Sequence, residues 1–474
     1  MLEKITPRYQ ALLILLAWGT ILLTAGLIRL DAFGIEEGAA RGLLLVWSVV
    51  DRVINPIFIM GLPDLRALLF APVGIYWPGS ITAAKVFTGL ITFAAALFFH
   101  HWSRRTNNNE SALIGAGLLL IAPLTLTQIN AISAGPYLLL GFGLGLWMNQ
   151  SHRRVARPLG GWFFLQLLLI AILTSIHPIA LAYPLALIIE WRKDPIDIKQ
   201  QRHVFIGIAI TIIFTLLIRG GWDGLTWLNN PITHLSSVLL GDTGNGNAIF
   251  INSITGILLL AALYFNRARL LQDMLGRILI LAIIIGAFCA DQSWAFIVLA
   301  LFLYVGGNNL TSLNSRMGGA SFIGQRGLTM VVLFIIATVF MQGDKIQQQR
   351  IAQNLLSPHD FLIQGLALEL NDVKDDKILV MSQWPGRTML AIRRPVIPLP
   401  PDYPDSDTLL RNITGTTHII FDPRAPANRV LREHLANLTA VSETLSLEEG
   451  GVIIRINTQK SAATDATGLK PVAR

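Results

Sequence analysis

The sequence predicts an α-helical polytopic membrane protein of about 11 transmembrane helices, followed by a small C-terminal α/β domain outside the membrane. Three observations carry this prediction. Of 474 residues, 53% are hydrophobic and only 14% charged, against roughly a quarter charged in ordinary soluble domains, and the mean hydropathy is +0.56. Long apolar runs alternate with short loops rich in Arg and Lys. After residue 343 the texture changes to short alternating segments of the kind that build a soluble α/β fold.

The first apolar run, 11–30, has the ~20 residues that crossing hydrocarbon requires. No small-residue cleavage site follows it, so it reads as a retained helix that leaves Lys4 and Arg8 in the cytoplasm. Further spans are expected at 80–99, 112–129, 132–149, 162–175, 178–191, 204–218, 250–265, 278–290, 293–305 and 327–342. As one helix, 162–191 would be about 45 Å long at 1.5 Å per residue, too long for a core of about 30 Å. It is therefore split at Pro178 in "SIHPIA". The split at "ADQSW" (290–294) rests on Asp291, whose charge is costly within a membrane and cheap at a surface turn.

The loops "HHWSRR" (100–105), "SHRRVAR" (151–157), "WRKDPIDIKQQR" (191–202) and "NRARLLQDMLGR" (266–277) are basic and face the cytoplasm by the positive-inside rule. Before residue 344, 22 Lys and Arg stand against 14 Asp and Glu, and from there on 15 stand against 15. The net charge of +8 thus belongs to the membrane part and is no footprint of nucleic-acid binding. The single cysteine, Cys289, lies in an apolar segment and excludes an intramolecular disulfide.

The expected organisation is a transmembrane domain over 1–343 with large outer loops at 31–79 and 219–249, an extracytoplasmic α/β domain over 344–458, and a disordered tail over 459–474. In the first loop, Glu37, Arg41, Ser48 and Arg52 recur at helical spacing opposite Leu44, Leu45, Trp47, Val50 and Ile54, a pattern that suits a helix lying along the membrane interface. In the C-terminal part, "HDFLIQGLALELNDV", "DTLLRNITG" and "NRVLREHLANL" read as helices, and "KILVMS", "RRPVIPLP", "THIIFDP" and "GVIIRIN" as strands.

The stretch "RLDAFGIEEGAARG" (29–42) puts Asp31, Glu36 and Glu37 at the outer mouth of the first span. Acids there can bind a cation, act as a base, hold cationic headgroups or remain solvated. The first loop continues with "PDLRALLFAPVGIYWPGSITAAKVF" and closes on Gly-Ser before the second span. This arrangement, with an acidic pair opening the loop, resembles the polytopic glycosyltransferases of the GT-C superfamily, and is most similar to the protein mannosyltransferase and aminoarabinose transferase type. Glu36-Glu37 stands where those proteins usually carry Asp-Glu. The stretch "ILVMSQWPGRTMLAIRRPVIPLP" followed by "THIIFDP" also resembles the periplasmic domain of bacterial members.

The resemblance implies a polyprenyl-phosphate-linked sugar donor, transfer on the outer face of the bacterial inner membrane to a glycan, lipid or protein acceptor, and inversion at the anomeric carbon. A carboxylate in reach of the acceptor hydroxyl would take its proton, a role for Glu36 or Glu37, with Asp31 nearby. The leaving lipid phosphate calls for cations, and Arg41, Arg66, Lys85 and Arg219 are the candidates, with His177 as a further phosphate contact. Arg and Lys at span ends also snorkel to lipid phosphates with no catalytic purpose. Family members often carry another Asp at the outer start of the fourth span, where this chain has Gly135 and Pro136. Asp31, Asp223 or Asp242 would have to substitute, or the acceptor differs, or the chain is a degenerate, non-catalytic envelope scaffold. There is no HxxxH or HExxH pattern, and a divalent cation such as Mg²⁺ or Mn²⁺ would have to use Glu36, Glu37 and lipid phosphate. A lipid or solute transporter is the other alternative. Transporters place charges mid-membrane around a substrate path, whereas here the charges gather in loops.

Overall fold

The computed structural model of the chain describes residues 7–29, 34–51, 66–106, 109–155, 161–192, 198–219, 264, 267–286, 297–298, 300–302, 304–306, 322–352, 360–371, 378–399, 413, 415–422, 428, 431, 433–434, 441–446 and 452–456. Its helices are α1 (Pro7–Thr24), α2 (Glu37–Asp51), α3 (Arg66–Tyr76), α4 (Ile81–Thr106), α5 (Asn109–Ile121), α6 (Pro123–Ala131), α7 (Ala134–Val155), α8 (Gly161–Ile176), α9 (Ala182–Trp191), α10 (Ile198–Arg219), α11 (Arg267–Gln272), α12 (Met274–Gly286), α13 (Phe322–Ala352), α14 (Asp360–Asn371) and α15 (Pro385–Ile392). Five strands follow the same order, β1 (Val380–Ser382), β2 (Val396–Pro398), β3 (His418–Phe421), β4 (Val441–Ser446) and β5 (Val452–Ile456).

The chain divides into two compact units, each discontinuous in sequence. The first comprises 1–28 and 83–349, and the second joins the first loop, 29–82, to 350–474. A boundary drawn at residue 344 alone separates these last two segments, which pack as one body.

The first unit is a helical bundle. Helix α1 stops at Thr24, short of residue 30, where the Leu27 N–H turns back to the Leu22 carbonyl and satisfies an end-of-helix acceptor. Over 112–129 the chain forms two pieces, α5 and α6, bent by 49° at Ala122–Pro123, because Pro123 lacks the N–H that would continue the ladder. The long apolar stretch 162–191 breaks at Pro178 into α8, a 3-10 turn over Pro178–Leu181, and α9. Among the described residues, Ile81–Arg104 is the one helix both long and apolar enough to cross a membrane, and the α5–α6 pair passes the same test if taken as a broken span. The span expected at 250–265 lies largely, and the split expected at 290–294 wholly, outside the described residues.

Several buried polar side chains in this bundle bond to helix carbonyls. Thr88 donates to the Ala84 carbonyl, Thr92 to that of Thr88, Thr174 to that of Ile170 and Tyr183 to that of Gly145, so each neutral group satisfies itself with a backbone acceptor already present.

The second unit carries a five-stranded sheet in the order β2-β1-β3-β5-β4. β1 pairs parallel with β2 and β3, and β3 and β4 pair antiparallel with β5. Met381, Ile413, Ile419, Phe421, Leu431, Ile454 and Ile456 form its core, each worth roughly 1.5–3 kcal/mol when fully buried. The helix at "HDFLIQ" and the strands at "KILVMS", "RRPVIPLP", "THIIFDP" and "GVIIRIN" are present. Strand β4 and helix α15 go beyond the sequence reading. "DTLLRNITG" falls almost wholly outside the described residues, as does the tail 459–474.

Helix α2 departs from the interfacial reading. Its apolar face, Ala39, Ala40, Leu43, Leu44 and Trp47, is at most 2% exposed and packs on α3 and α15. Protein therefore covers Leu44 and Trp47 of the predicted apolar stripe and also Ser48 of the polar one, while Val50 is 41% exposed. Ile75, Tyr76 and Trp77 around the end of α3 are exposed as well.

Candidate functional site

The acidic segment of the first loop is held by the C-terminal part of the second unit. Helix α15 explains how. Pro385 occupies its first position, where a missing N–H costs nothing, and the preceding Trp384 offers no side-chain cap. The next two amides, Gly386 N–H and Arg387 N–H, would be orphaned. Glu37, 349 and 350 residues away in sequence, accepts both, through Oε1 at 2.8 Å and Oε2 at 3.0 Å. Its Oε1 also accepts Arg41 Nε at 2.7 Å, one helical turn along α2. A negative charge here also meets the positive end of the α15 dipole.

Close approach of α2 and α15 depends on Gly386. A Cβ at that position would lie 2.9 Å from Arg41 Cγ and 3.0 Å from both the Arg41 N and Glu37 Oε1, closer than side chains pack.

A second clasp lies three residues earlier. Asp360, the first residue of α14 and 1% exposed, accepts the Gly34 N–H through Oδ2 at 2.9 Å and Arg387 Nη2 through Oδ1 at 2.7 Å. Gly34 has φ +77°, a left-handed conformation that glycine adopts without penalty. Arg387 thus engages two carboxylates, Asp360 with its side chain and Glu37 with its main chain. Between these clasps sits Glu36, half-buried, whose carbonyl accepts the Ala40 N–H as α2 begins. Arg393 adds a third tie, with its guanidinium 5.7 Å from the centre of the Trp47 ring.

Of the predicted site residues, the second unit brings together Glu36, Glu37 and Arg41. Asp31 lies outside the described residues, as do Asp223 and Asp242. Arg66 opens α3 and Arg219 ends α10, and their side chains are likewise outside the described set. Lys85 and His177 belong to the first unit. Lys85 is fully buried in the first turns of α4, near Thr88, which hydrogen-bonds Tyr137 Oη at 3.1 Å. An ammonium so placed requires compensating negative or polar groups. His177 caps the 3-10 turn, its Nδ1 accepting the Ile179 N–H at 3.2 Å. The proton of a neutral imidazole is then on Nε2, and the ring is buried. The first turn of α7, where Gly135 and Pro136 stand, contains no acid.

Sequence reasoning missed Asp360 and Arg387. The only signals were an Asp at the start of a predicted helix and an Arg just after Pro-Gly, both common surface features. Among the described residues no three His, Cys, Asp or Glu side chains gather as a metal site. Glu37 has its oxygens facing N–H donors, which makes it a poor cation ligand.

No family model matches the sequence, and no curated protein matches it. Solved structures do. The chain is similar to apo ArnT from Cupriavidus metallidurans, with a TM-score of 0.55 and 11% identity over 93% of this chain and 97% of that one. The same protein bound to undecaprenyl phosphate matches with a TM-score of 0.54 and 11% identity over the same shares. The oligosaccharyltransferase of Archaeoglobus fulgidus in its apo form matches with a TM-score of 0.55 and 11% identity over 88% of this chain and 70% of that one. These are membrane glycosyltransferases of the GT-C superfamily, and this chain has their fold.

Proposed function

We propose that this chain is a membrane glycosyltransferase that moves a sugar from a polyprenyl-phosphate donor to a hydroxyl-bearing acceptor. The carrying observation is the fold likeness to ArnT over 93% of the chain, joined to an acidic loop segment that two clasps hold in place. One ArnT structure holds undecaprenyl phosphate, and one of the archaeal enzyme holds a dolichol-phosphate and an inhibitory peptide. The reading places the chain in a bacterial inner membrane, N-terminus in the cytoplasm and sheet domain on the outer side, in keeping with its basic loops.

In the reaction, the acceptor oxygen attacks the anomeric carbon from the face opposite the phosphate. The bond from that carbon to the phosphate oxygen breaks, the lipid phosphate leaves with the electron pair, and the acceptor proton passes to a base, with inversion. Glu36 is assigned as that base, with Asp31 as its neighbour. Glu37 is better suited to holding, because three N–H donors occupy its two oxygens and protonation would disrupt them. Charge developing on the lipid phosphate calls for a fixed cation, which stabilises such charge strongly outside bulk water, and Arg66 of the first loop is the candidate that shares a unit with Glu36. Arg41 is engaged by Glu37 and serves the loop.

Turnover is read as undecaprenyl phosphate released from a panel of undecaprenyl-phosphate-linked pentoses and hexoses, with protein reconstituted in lipid. Glu36→Gln should lower the rate about 10²-fold or more at unchanged protein level. Parental turnover by this variant would overturn the assignment. An inactive parent across every sugar and acceptor favours the scaffold reading, for which the acid-free start of α7 speaks.

A further inference from the structure

Resting on the reading of Glu36 as base, we propose that Asp360 and Arg387 are positioning residues that fix Glu36 from the C-terminal part of the chain. Residues 34 and 37 are each tied to this pair. The Gly34 amide is held by Asp360 Oδ2, and the Glu37 carboxylate by the amides of Gly386 and Arg387. Arg387 Nη2 closes the circuit onto Asp360 Oδ1. A segment pinned at both 34 and 37 leaves little backbone freedom at residues 35 and 36, and Ile35 is itself 1% exposed. A base must stay within hydrogen-bond reach of its proton donor, and misplacement of about 1 Å can cost 10²-fold.

The ion pair is also an uncommon way to gain stability alone. Burying both charges costs several kcal/mol each, and apolar replacements of similar volume are often no worse. Asp360 is 1% and Arg387 8% exposed, so geometric definition of the loop is the benefit that the pair supplies.

Asp360→Asn tests this in the full-length reconstituted protein. Asn has one acceptor oxygen where Asp has two, and its NH₂ opposes the guanidinium, so it cannot serve both Gly34 and Arg387. Expected are hydrogen exchange at the Gly34 amide faster by at least about tenfold with unchanged exchange in β1 and β3, and kcat about tenfold lower at unchanged donor KM on the most rapidly used sugar of the panel. Because the pair acts through Glu36, the double variant Glu36→Gln/Asp360→Asn should be no slower than Glu36→Gln. Gly386→Ala, which alters no charge, should reproduce the kcat loss. An active Asp360→Asn beside an inactive Glu36→Gln, or losses that multiply in the double variant, would overturn the positioning role alone. Parental turnover by Glu36→Gln would instead remove the base assignment on which it rests.

Discussion

The two units differ in the charge of the groups that tie each of them together. In the helical bundle, Thr88, Thr92 and Thr174 bond to the carbonyl one turn back, and the neutral Tyr183 and Tyr304 reach across helices to the Gly145 carbonyl and to Ser103. The unit that joins the first loop to the sheet adds ionic ties to such neutral bonds, as in Asp360 with Arg387, Glu37 with the start of α15, and Glu369 with Arg455. In the bundle, Glu190 pairs with Arg277 beside a basic loop. Neutral groups with local partners can be lost one at a time at small cost. A charge held by a distant partner cannot, because its loss strands the other charge. The contrast makes the ionic unit the part in which a single replacement strands a charged partner.

The sharpest way to break this contrast is Arg387→Leu. It strands Asp360 in a nearly dry site and should destabilise the second unit by about 3–5 kcal/mol, read from hydrogen exchange of the β1 and β3 amides in the solubilised chain. Replacing Asp360 by Leu as well should recover most of that loss, although turnover stays low. If the single variant costs no more than the double, the pair is not a coupled buried charge.

A smaller effect is expected in the bundle. Thr88→Val removes a hydroxyl that bonds both the Ala84 carbonyl and Tyr137 Oη. It should cost about 0.5–1.5 kcal/mol in a denaturant titration of the solubilised protein. A loss as large as that of Arg387→Leu would erase the distinction between the units.

The smallest effect concerns pH. Burial pushes Asp344, in α13 beyond the predicted span 327–342, up to about 6 from 3.8. The folded chain therefore holds this proton more tightly than the unfolded chain, so stability falls as pH rises from about 4 through 6 and the penalty is fully present above that. Asp344→Asn should raise the melting temperature at pH 7.5 and leave it unchanged near pH 3.5. A gain of equal size at both values would show that the carboxyl is not desolvated.

Much of the molecule was legible in its residues. Apolar runs marked the helices of the bundle, Pro178 marked the break between α8 and α9, and alternating apolar segments marked β1, β2, β3 and β5. Helix α15 was hidden because Pro385 and Gly386 read as a turn between strands. Its N-terminus is completed by Glu37, a partner from the other end of the chain. For the same reason the helical pattern of α2 correctly gave an amphipathic helix but not what covers it, since lipid and protein reward the same apolar stripe.

The sequence by itself determined which segments are apolar enough to pack as helices, where proline interrupts them, and that acids cluster at the start of the first loop. These are properties of neighbouring residues. Only the tertiary structure decided that Glu37 is a helix cap, that Glu36 lies between two clasps, and that Asp360 and Arg387 make them. Those roles depend on contacts between residues more than 300 positions apart, and hydrogen-bond geometry over such separations leaves no periodic trace in the chain.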